Sequence, residues 1–174
     1  MAGQEDWVSE TMAKLSTLVT MPKNSEKFLR RPPVWFVHTV ITEVMKATDF
    51  ADGLYSDEEC RSSYLVDRET KRRFVHKAVK CVSFALDEEL DVSVSKVLAG
   101  LEGNKTSAFF LKLHHAAVTC SRARSADAVD RVRAWEATGD VEATDAATCS
   151  TAPSSPAGSA LAKHNSRTRL NDAL

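Results

Sequence analysis

No stretch of this 174-residue sequence approaches the run of ~20 apolar residues that a membrane-spanning helix needs. The first residues, MAGQEDWVSE, are acidic and lack the basic and apolar regions of a secretory signal peptide. We therefore expect a cytoplasmic protein that does not insert into membranes.

Cysteine is sparse, and the four cysteines form no CxxC pair. Cys81 and Cys120 fall on apolar helix faces, where a free thiol behaves as a small hydrophobic side chain. Cys60 and Cys149 lie outside such faces. Two disulfides are formally allowed by the number of cysteines, but the absence of secretory features favours reduced thiols.

The sequence also lacks an excess of positive charge. Its formal net charge is −1, and residues 1–139 carry 20 basic and 20 acidic side chains. Because a nucleic-acid-binding domain typically shows a clear basic excess, nucleic acid is not an expected partner. The charges are nevertheless segregated, with acidic residues concentrated in 49–59 and basic residues concentrated in 68–80. A local basic face that meets an acidic partner remains open.

Motifs for catalysis and for cofactor binding are missing. There is no P-loop, no GxSxG and no GxGxxG. His114 and His115 are adjacent, so on a helix they point about 100° apart and cannot easily share a metal ion. Cys60 directly follows three acidic residues, a setting that disfavours a reactive thiolate. We predict no catalytic residues, no cofactor and no metal, since an enzyme would need a pocket of converging titratable groups.

What the sequence does contain is apolar residues at helical spacing, and no segment alternates as a β-strand does. The pattern predicts an all-α fold with about six or seven helices. The first helix covers about 5–20, and a β-branched, heavily buried helix runs from the proline pair at 32–33 to about Thr48. Later helices start at the predicted caps, which are Asp67, either Asn104 or Thr106, and Ser125.

Three further local signals concern turns and boundaries. Ser56 and Glu59 have capping-box spacing. Gly53 is available for a positive φ, and Gly100 and Gly103 are expected to end a short helix at 92–99. After Gly139 the composition shifts to Ala, Thr, Ser and Pro. We therefore predict a helical domain over 1–139 and a disordered tail over 140–174.

The best functional signal is a basic helix face. If Phe74, Ala78 and Val82 face the core, then the polar residues between them should project into solvent, namely Arg72, Arg73, His76, Lys77 and Lys80. Arg30 and Arg31 are candidates to extend this face, although the sequence does not place them beside it. A solvated helix face without a function is the alternative interpretation. Trp35 falls off the apolar stripe of its helix, and a second-layer core position is favoured over an exposed contact position.

Three blocks in this order resemble a known family: RPPVWFVHTVITEV at 31–44, GLYSD at 53–57 and KVLAG at 96–100. The resemblance spans about residues 8–138 and is carried mainly by the first block. It is to the N-terminal domain of the microtubule-interacting, TRAF-interacting subunit of the intraflagellar transport B complex. That domain is a divergent calponin-homology fold. Family members continue into a charged region and a coiled coil, and this sequence carries no heptads.

The resemblance implies a tubulin- or microtubule-binding module that acts in building cilia or flagella, located in the cytoplasm, the cytoskeleton, the cilium and its basal body. Other subunits of the transport complex would bind regions absent here. Because tubulin is acidic, the resemblance assigns the contact to Arg72, Arg73, Lys77 and Lys80, with Arg30 and Arg31 outlying. We expect Arg72→Glu plus Lys77→Glu to abolish binding with the fold intact. The alternative is a docking adaptor that binds another transport subunit or a motor, without tubulin.

Overall fold

A computed structural model of the chain describes residues 6–23 and 25–139. The predicted tail at 140–174 lies outside these residues, so its disorder and the domain boundary at Gly139 stay predictions. Within the described ranges the secondary structure is entirely helical, which confirms the predicted fold class. No helix in these ranges is long and apolar enough to cross a membrane. The elements are α1 Asp6–Leu15, α2 Ser25–Arg30, α3 Val34–Thr48, a 3-10 turn Ser62–Tyr64, α4 Arg68–Leu86, α5 Val94–Leu98, α6 Gly103–Thr119 and α7 Arg122–Ala137.

Helices α3, α4 and α6 form the centre of the fold. Helices α1 and α2 pack on α6, while α5 and α7 pack on α4. The core is built around four fully buried phenylalanines, which are Phe36, Phe74, Phe109 and Phe110. The rings of Phe36 and Phe110 meet edge to face with their centroids 6.2 Å apart. Each such side chain contributes about 1.5–3 kcal/mol through burial, so the helices that carry them are held firmly together.

Helix α1 ends five residues earlier than the apolar pattern predicts, although Val19 is still buried. Two successive hydroxyl side chains explain the early end. Ser16 donates to the carbonyl of Met12 at 2.6 Å, and Thr17 donates to the carbonyl of Lys14 at 2.7 Å. Side-chain bonds of this kind compete with the helical ladder, so the chain continues as turns that still bury its apolar positions.

Two of the predicted caps are confirmed. The Asp67 carboxylate accepts the backbone N–H of Thr70 at 2.7 Å and starts α4. Ser56 and Glu59 bond reciprocally: the Ser56 N–H donates to Glu59 Oε2 at 2.9 Å, and the Glu59 N–H donates to Ser56 Oγ at 3.3 Å. This capping box opens a run of turns and a 3-10 turn, and therefore fixes a loop whose position matters below.

The predicted caps of α6 and α7 are wrong. Helix α6 begins at Gly103, before both Asn104 and Thr106, because the N–H of Thr106 already donates to the carbonyl of Glu102 at 3.0 Å, and Gly103 lies against the backbone at the end of α2. Gly103 therefore starts a helix and does not end one. Helix α7 is capped by Ser121, which accepts the N–H of Arg124, and Ser125 lies one turn inside the helix. Ser125 is buried there and accepts the N–H of Ala51 at 2.7 Å, a contact 74 residues away in sequence.

Asp67→Ala is expected to lower the melting temperature at neutral pH and to have no effect on it in strong acid. The N–H and hydroxyl of Thr70 hold the pKa of the Asp67 carboxyl below its ordinary value of 3.8. A lowered pKa means that the stabilisation is present above that ordinary value and is lost as the pH falls through the folded value. Thermal unfolding at several pH values measures the effect. Asp127→Ala, an exposed change in α7, is the control, and an equal loss in both variants would contradict the assignment.

Candidate functional site

Lys77 does not project into solvent, so that part of the predicted basic face is wrong. Its side chain is buried, with 8% of the residue exposed. Its Nζ lies 2.9 Å from Glu59 Oε1 and 3.6 Å from Glu136 Oε1. Lys77 also lies over the ring of Tyr55, at 5.7 Å from the centroid. Two carboxylates therefore neutralise this cation inside the protein.

The capping box explains how Glu59 reaches Lys77. One carboxylate oxygen of Glu59 is used by the N–H of Ser56, which leaves the other directed at Lys77. The carbonyl of Glu59 bonds to the Nε2 of His38 at 3.0 Å, which ties the same loop to α3. A buried carboxylate needs such partners, because its desolvation is costly without them. Glu59 thus holds α3, α4 and the loop between them.

Helix α7 covers the part of α4 that includes His76 and Lys80. His76 was expected to be exposed, but it is buried, and its ring meets Trp135 edge to face with the centroids 4.6 Å apart. The Nζ of Lys80 lies 5.7 Å from the centroid of the same Trp135 ring, and Lys80 is half-buried. Cations over an aromatic ring are stabilised there. His76 and Lys80 therefore help to seat α7 on α4.

Arg72 and Arg73 remain accessible on α4. Arg73 is exposed, and Arg72 is partly exposed and engaged in contacts of its own. Successive residues of a helix point about 100° apart, so the two guanidinium groups leave α4 in different directions. The predicted row of cations on one face is thus divided: its C-terminal half lies under α7, and its N-terminal half is accessible.

Arg30 and Arg31 lie at the C-terminal end of α2, on a different helix from Arg72 and Arg73. Arg30 is exposed and forms a salt bridge with Glu26 on its own helix, at 3.1 Å. Arg31 is exposed, and its side chain packs near Gly100, which has a φ of 66°. The carbonyl of Pro32 approaches the same glycine, so a Cβ there would crowd both residues. This close approach brings Arg31 to the end of α5.

Two adjoining depressions surround the end of α5, and together we call them the basic groove. The first, of about 370 Å³, is lined by Lys27, Phe28, Arg31, Trp35 and the residues at 98–100. The second, of about 310 Å³, is lined by Arg68, Lys71, Val34 and again Leu98 and Ala99. The two depressions meet at Leu98 and Ala99, so the groove extends from α2 on one side of these residues to the first turn of α4 on the other.

Trp35 is exposed in this groove, so the second-layer core interpretation is wrong. The exposed fraction of Trp35 is 48%, which is high for so large an apolar residue. Its ring is held edge to face by Phe28, with the centroids 5.0 Å apart. The sequence did carry the signal for exposure, because Trp35 lies off the apolar stripe of α3. Arg68 and Lys71 belong to the basic stretch at 68–80, but only the fold brings them and Lys27 close to Trp35.

Metal ligation and thiol chemistry have little support among the described residues. No three His, Cys, Asp or Glu side chains among them lie close enough to hold a metal ion. Burial raises the pKa of the Cys81 thiol to about 12, so this cysteine stays protonated and unreactive near neutral pH. Cys60, Cys81 and Cys120 are free thiols, in agreement with the preference for reduced cysteines.

The fold is that of a calponin-homology-like helical domain. The chain belongs to the family described as "Microtubule-binding protein MIP-T3 CH-like domain", whose model matches residues 7–119. The block at 31–44, which carries the resemblance seen in the sequence, lies inside this match. The family resemblance is thereby confirmed.

Curated relatives agree with this family. The chain is 33% identical over 129 residues to TRAF3-interacting protein 1 of Rattus norvegicus. The aligned region covers 74% of this chain and 19% of the relative. The protein of the same name from Mus musculus is 32% identical over 129 residues, covering 74% and 20%. That of Danio rerio is 32% identical over 133 residues, covering 76% and 21%. The chain thus spans about a fifth of the length of these relatives.

Proposed function

We propose that this chain is a non-enzymatic module that binds tubulin or microtubules. The observation that carries the proposal is its membership of a microtubule-binding domain family, which matches most of the helical region. Accessible cations at the N-terminal half of α4 support the proposal on physical grounds. Tubulin is acidic, and an accessible basic surface attracts such a partner through an interaction that weakens as salt rises.

Within the predicted set of contact residues, the structure favours a division of roles. Arg72 and Arg73 are the contact residues that we propose on α4, with Arg30 and Arg31 extending the surface beyond α5. Lys77 is neutralised inside the protein and does not meet a partner. Lys80 and Lys77 both help to hold α7 in place. These two cations therefore stabilise the fold and are not part of the proposed contact surface.

Arg72→Glu plus Arg73→Glu is expected to weaken microtubule binding about tenfold or more at low salt. Each exposed ion pair contributes roughly 0.2–1 kcal/mol, and charge reversal replaces two attractions with repulsions. Co-pelleting with taxol-stabilised microtubules at two salt concentrations measures the loss. The pair Arg72→Glu plus Lys77→Glu, which the sequence suggested, is unsuitable for this test because Lys77 is buried.

Arg61→Glu plus Arg122→Glu is the matched control for this experiment. Both arginines are exposed, and the pair changes the net charge by the same amount at other places on the surface. Circular-dichroism melting confirms that each variant is folded. Equal pelleting of the wild type and of the Arg72/Arg73 variant would refute the electrostatic contact on α4.

The cellular setting that we propose is the one that the resemblance of the block at 31–44 implies. The module acts in cilium or flagellum assembly, at the cytoskeleton, the cilium and its basal body, alongside other subunits of intraflagellar transport complex B that bind regions outside this chain. A docking adaptor that binds another subunit or a motor is the second candidate. Trp35 and the basic groove favour it, and a pull-down that resists high salt without tubulin binding would distinguish it.

A further inference from the structure

The basic groove has an apolar floor that is fixed in place. Trp35 packs on Phe28 at 5.0 Å and on Phe36 at 6.0 Å, measured between ring centroids, and Phe36 belongs to the buried core. Leu98 continues the apolar surface into the second depression. An exposed aromatic ring that is already held by its neighbours loses little entropy when it binds a partner, so it is well suited as an anchor.

The two sides of the groove carry the same sign of charge. Lys27 and Arg31 line one side, Arg68 and Lys71 line the other, and no carboxylate lines either depression. None of these four cations forms an ion pair with any residue in 6–23 or 25–139. Asp67 is the acidic residue whose pKa responds to Lys71, after the larger effect of Thr70. Its carboxylate is already used as the cap of α4.

Three lysines elsewhere on the surface are each neutralised by a carboxylate. Lys96 bonds to Glu102 at 2.6 Å, Lys105 to Asp91 at 2.9 Å, and Lys112 to Glu88 at 2.7 Å. Each of these pairs uses an acidic residue close to its cation. The groove keeps four cations that no described carboxylate neutralises, and this positive potential complements a negatively charged occupant.

The backbone around the groove has few hydrogen-bond donors to offer. Pro32 and Pro33 have no N–H group. At the end of α5 the N–H of Gly100 bonds to Val97 at 3.0 Å, and the N–H of Leu101 bonds to Lys96 at 2.9 Å. Recognition through the main chain, as in the addition of a β-strand, therefore has little support. Side chains provide the contacts.

We infer that the basic groove binds an extended acidic peptide segment that carries one large apolar side chain. The apolar side chain packs against Trp35, while carboxylates on either side of it meet the cations from α2 and from the first turn of α4. The groove is an open, shallow depression with cations on both sides of its apolar floor. A chain that runs along the floor can place an apolar side chain on Trp35 and carboxylates beside the cations on both sides at once. The inference does not rest on the proposed microtubule contact, which is centred on Arg72 and Arg73 and shares only Arg31 with the groove.

The experiment uses a fluorescein-labelled peptide with a central phenylalanine flanked on each side by three glutamates. Fluorescence anisotropy measures its affinity for the full chain. Trp35→Ser is expected to weaken binding about tenfold, since buried aromatic anchors dominate the energetics of interfaces. Arg31→Glu plus Lys71→Glu is expected to weaken it by at least as much. Replacing the phenylalanine of the peptide with serine should reproduce the effect of Trp35→Ser.

Matched controls separate the groove from the rest of the surface. Val118→Ser removes an exposed apolar residue of α6, and Arg61→Glu plus Arg122→Glu reverses two exposed cations outside the groove. Both control variants should bind the peptide as the wild type does. Melting curves show whether Trp35→Ser is folded, and the charge variant keeps the test decisive if it is not.

Unchanged peptide affinity in both groove variants would overturn the inference. Equal binding of a peptide with lysines in place of the glutamates would also overturn it. Preferential binding of phosphatidylserine vesicles, lost in Trp35→Ser while the peptide does not bind, would assign the groove to a membrane surface instead. The chain could bind the peptide through Trp35 and yet fail to pellet with microtubules. That result would support this inference and refute only the proposed function.

Discussion

Lys77→Glu is expected to destabilise the domain by about 3–5 kcal/mol, or to prevent folding. The substitution places a third carboxylate between Glu59 and Glu136, whose oxygens lie 2.9 Å and 3.6 Å from the present ammonium group. Breaking a buried pair leaves an uncompensated charge in a region of low polarity, which is among the largest single-residue effects on stability. Urea denaturation followed by circular dichroism measures the change.

A second pair of variants tests the reason for this loss. Lys77→Met removes the cation and leaves Glu59 buried without its partner, so it should also be destabilising. Adding Glu59→Gln removes the stranded charge while keeping an acceptor for the N–H of Ser56, and should restore part of the lost stability. If the Lys77→Glu variant and the wild type unfold at the same urea concentration, the ammonium group of Lys77 is not needed inside the fold.

Gly103→Ala is expected to lower the free energy of unfolding by about 3 kcal/mol. A Cβ at this position would lie far inside van der Waals contact with the carbonyl oxygens of Leu29 and Arg30. These are backbone atoms, so no rotamer change relieves the overlap, and α2 must move away from α6. Leu29 is fully buried between them and would lose packing. Overpacking of this kind costs about 1–3 kcal/mol or more.

Gly139→Ala provides a comparison for Gly103→Ala. Gly139 has a positive φ of 74°, but a Cβ there meets nothing within 4 Å. Its cost should be limited to the backbone preference, roughly 1–2 kcal/mol. Thermal and urea unfolding of both variants separate the two causes. Equal small losses would indicate that α2 and α6 adjust easily and that the close approach at Gly103 is not a constraint.

The helices themselves were largely predictable from the sequence. The apolar spacing placed α3 and its burial correctly, because a stripe that repeats every 3.6 residues has to face the interior. Asp67 and the Ser56–Glu59 box were found because each uses only residues within one turn. Ser121 and Ser125 could not be distinguished in this way. Both are serines near the start of α7, and the contact that decides between them involves Ala51 from a distant loop.

The candidate site was predictable only in part. Periodicity separates the side of α4 that faces the central core from the rest, but it does not show that α7 covers a second side. Lys77 and His76 therefore looked accessible and are not. The off-stripe position of Trp35 could be read from the sequence, because it depends only on the neighbouring residues of α3. The sequence did not predict the groove, because α2, α3, α4 and α5 each contribute only one or two residues to it.

The sequence by itself determined the fold class, the positions of most helices and the family, because helical periodicity, caps and a contiguous motif are all encoded within short stretches of chain. Only the tertiary structure decided which cations are neutralised and which stay accessible. Glu59 and Glu136 reach Lys77 from 18 and 59 residues away in the sequence. The charge of a surface depends on such distant neighbours, since the electrostatic interaction follows separation in space and not separation along the chain.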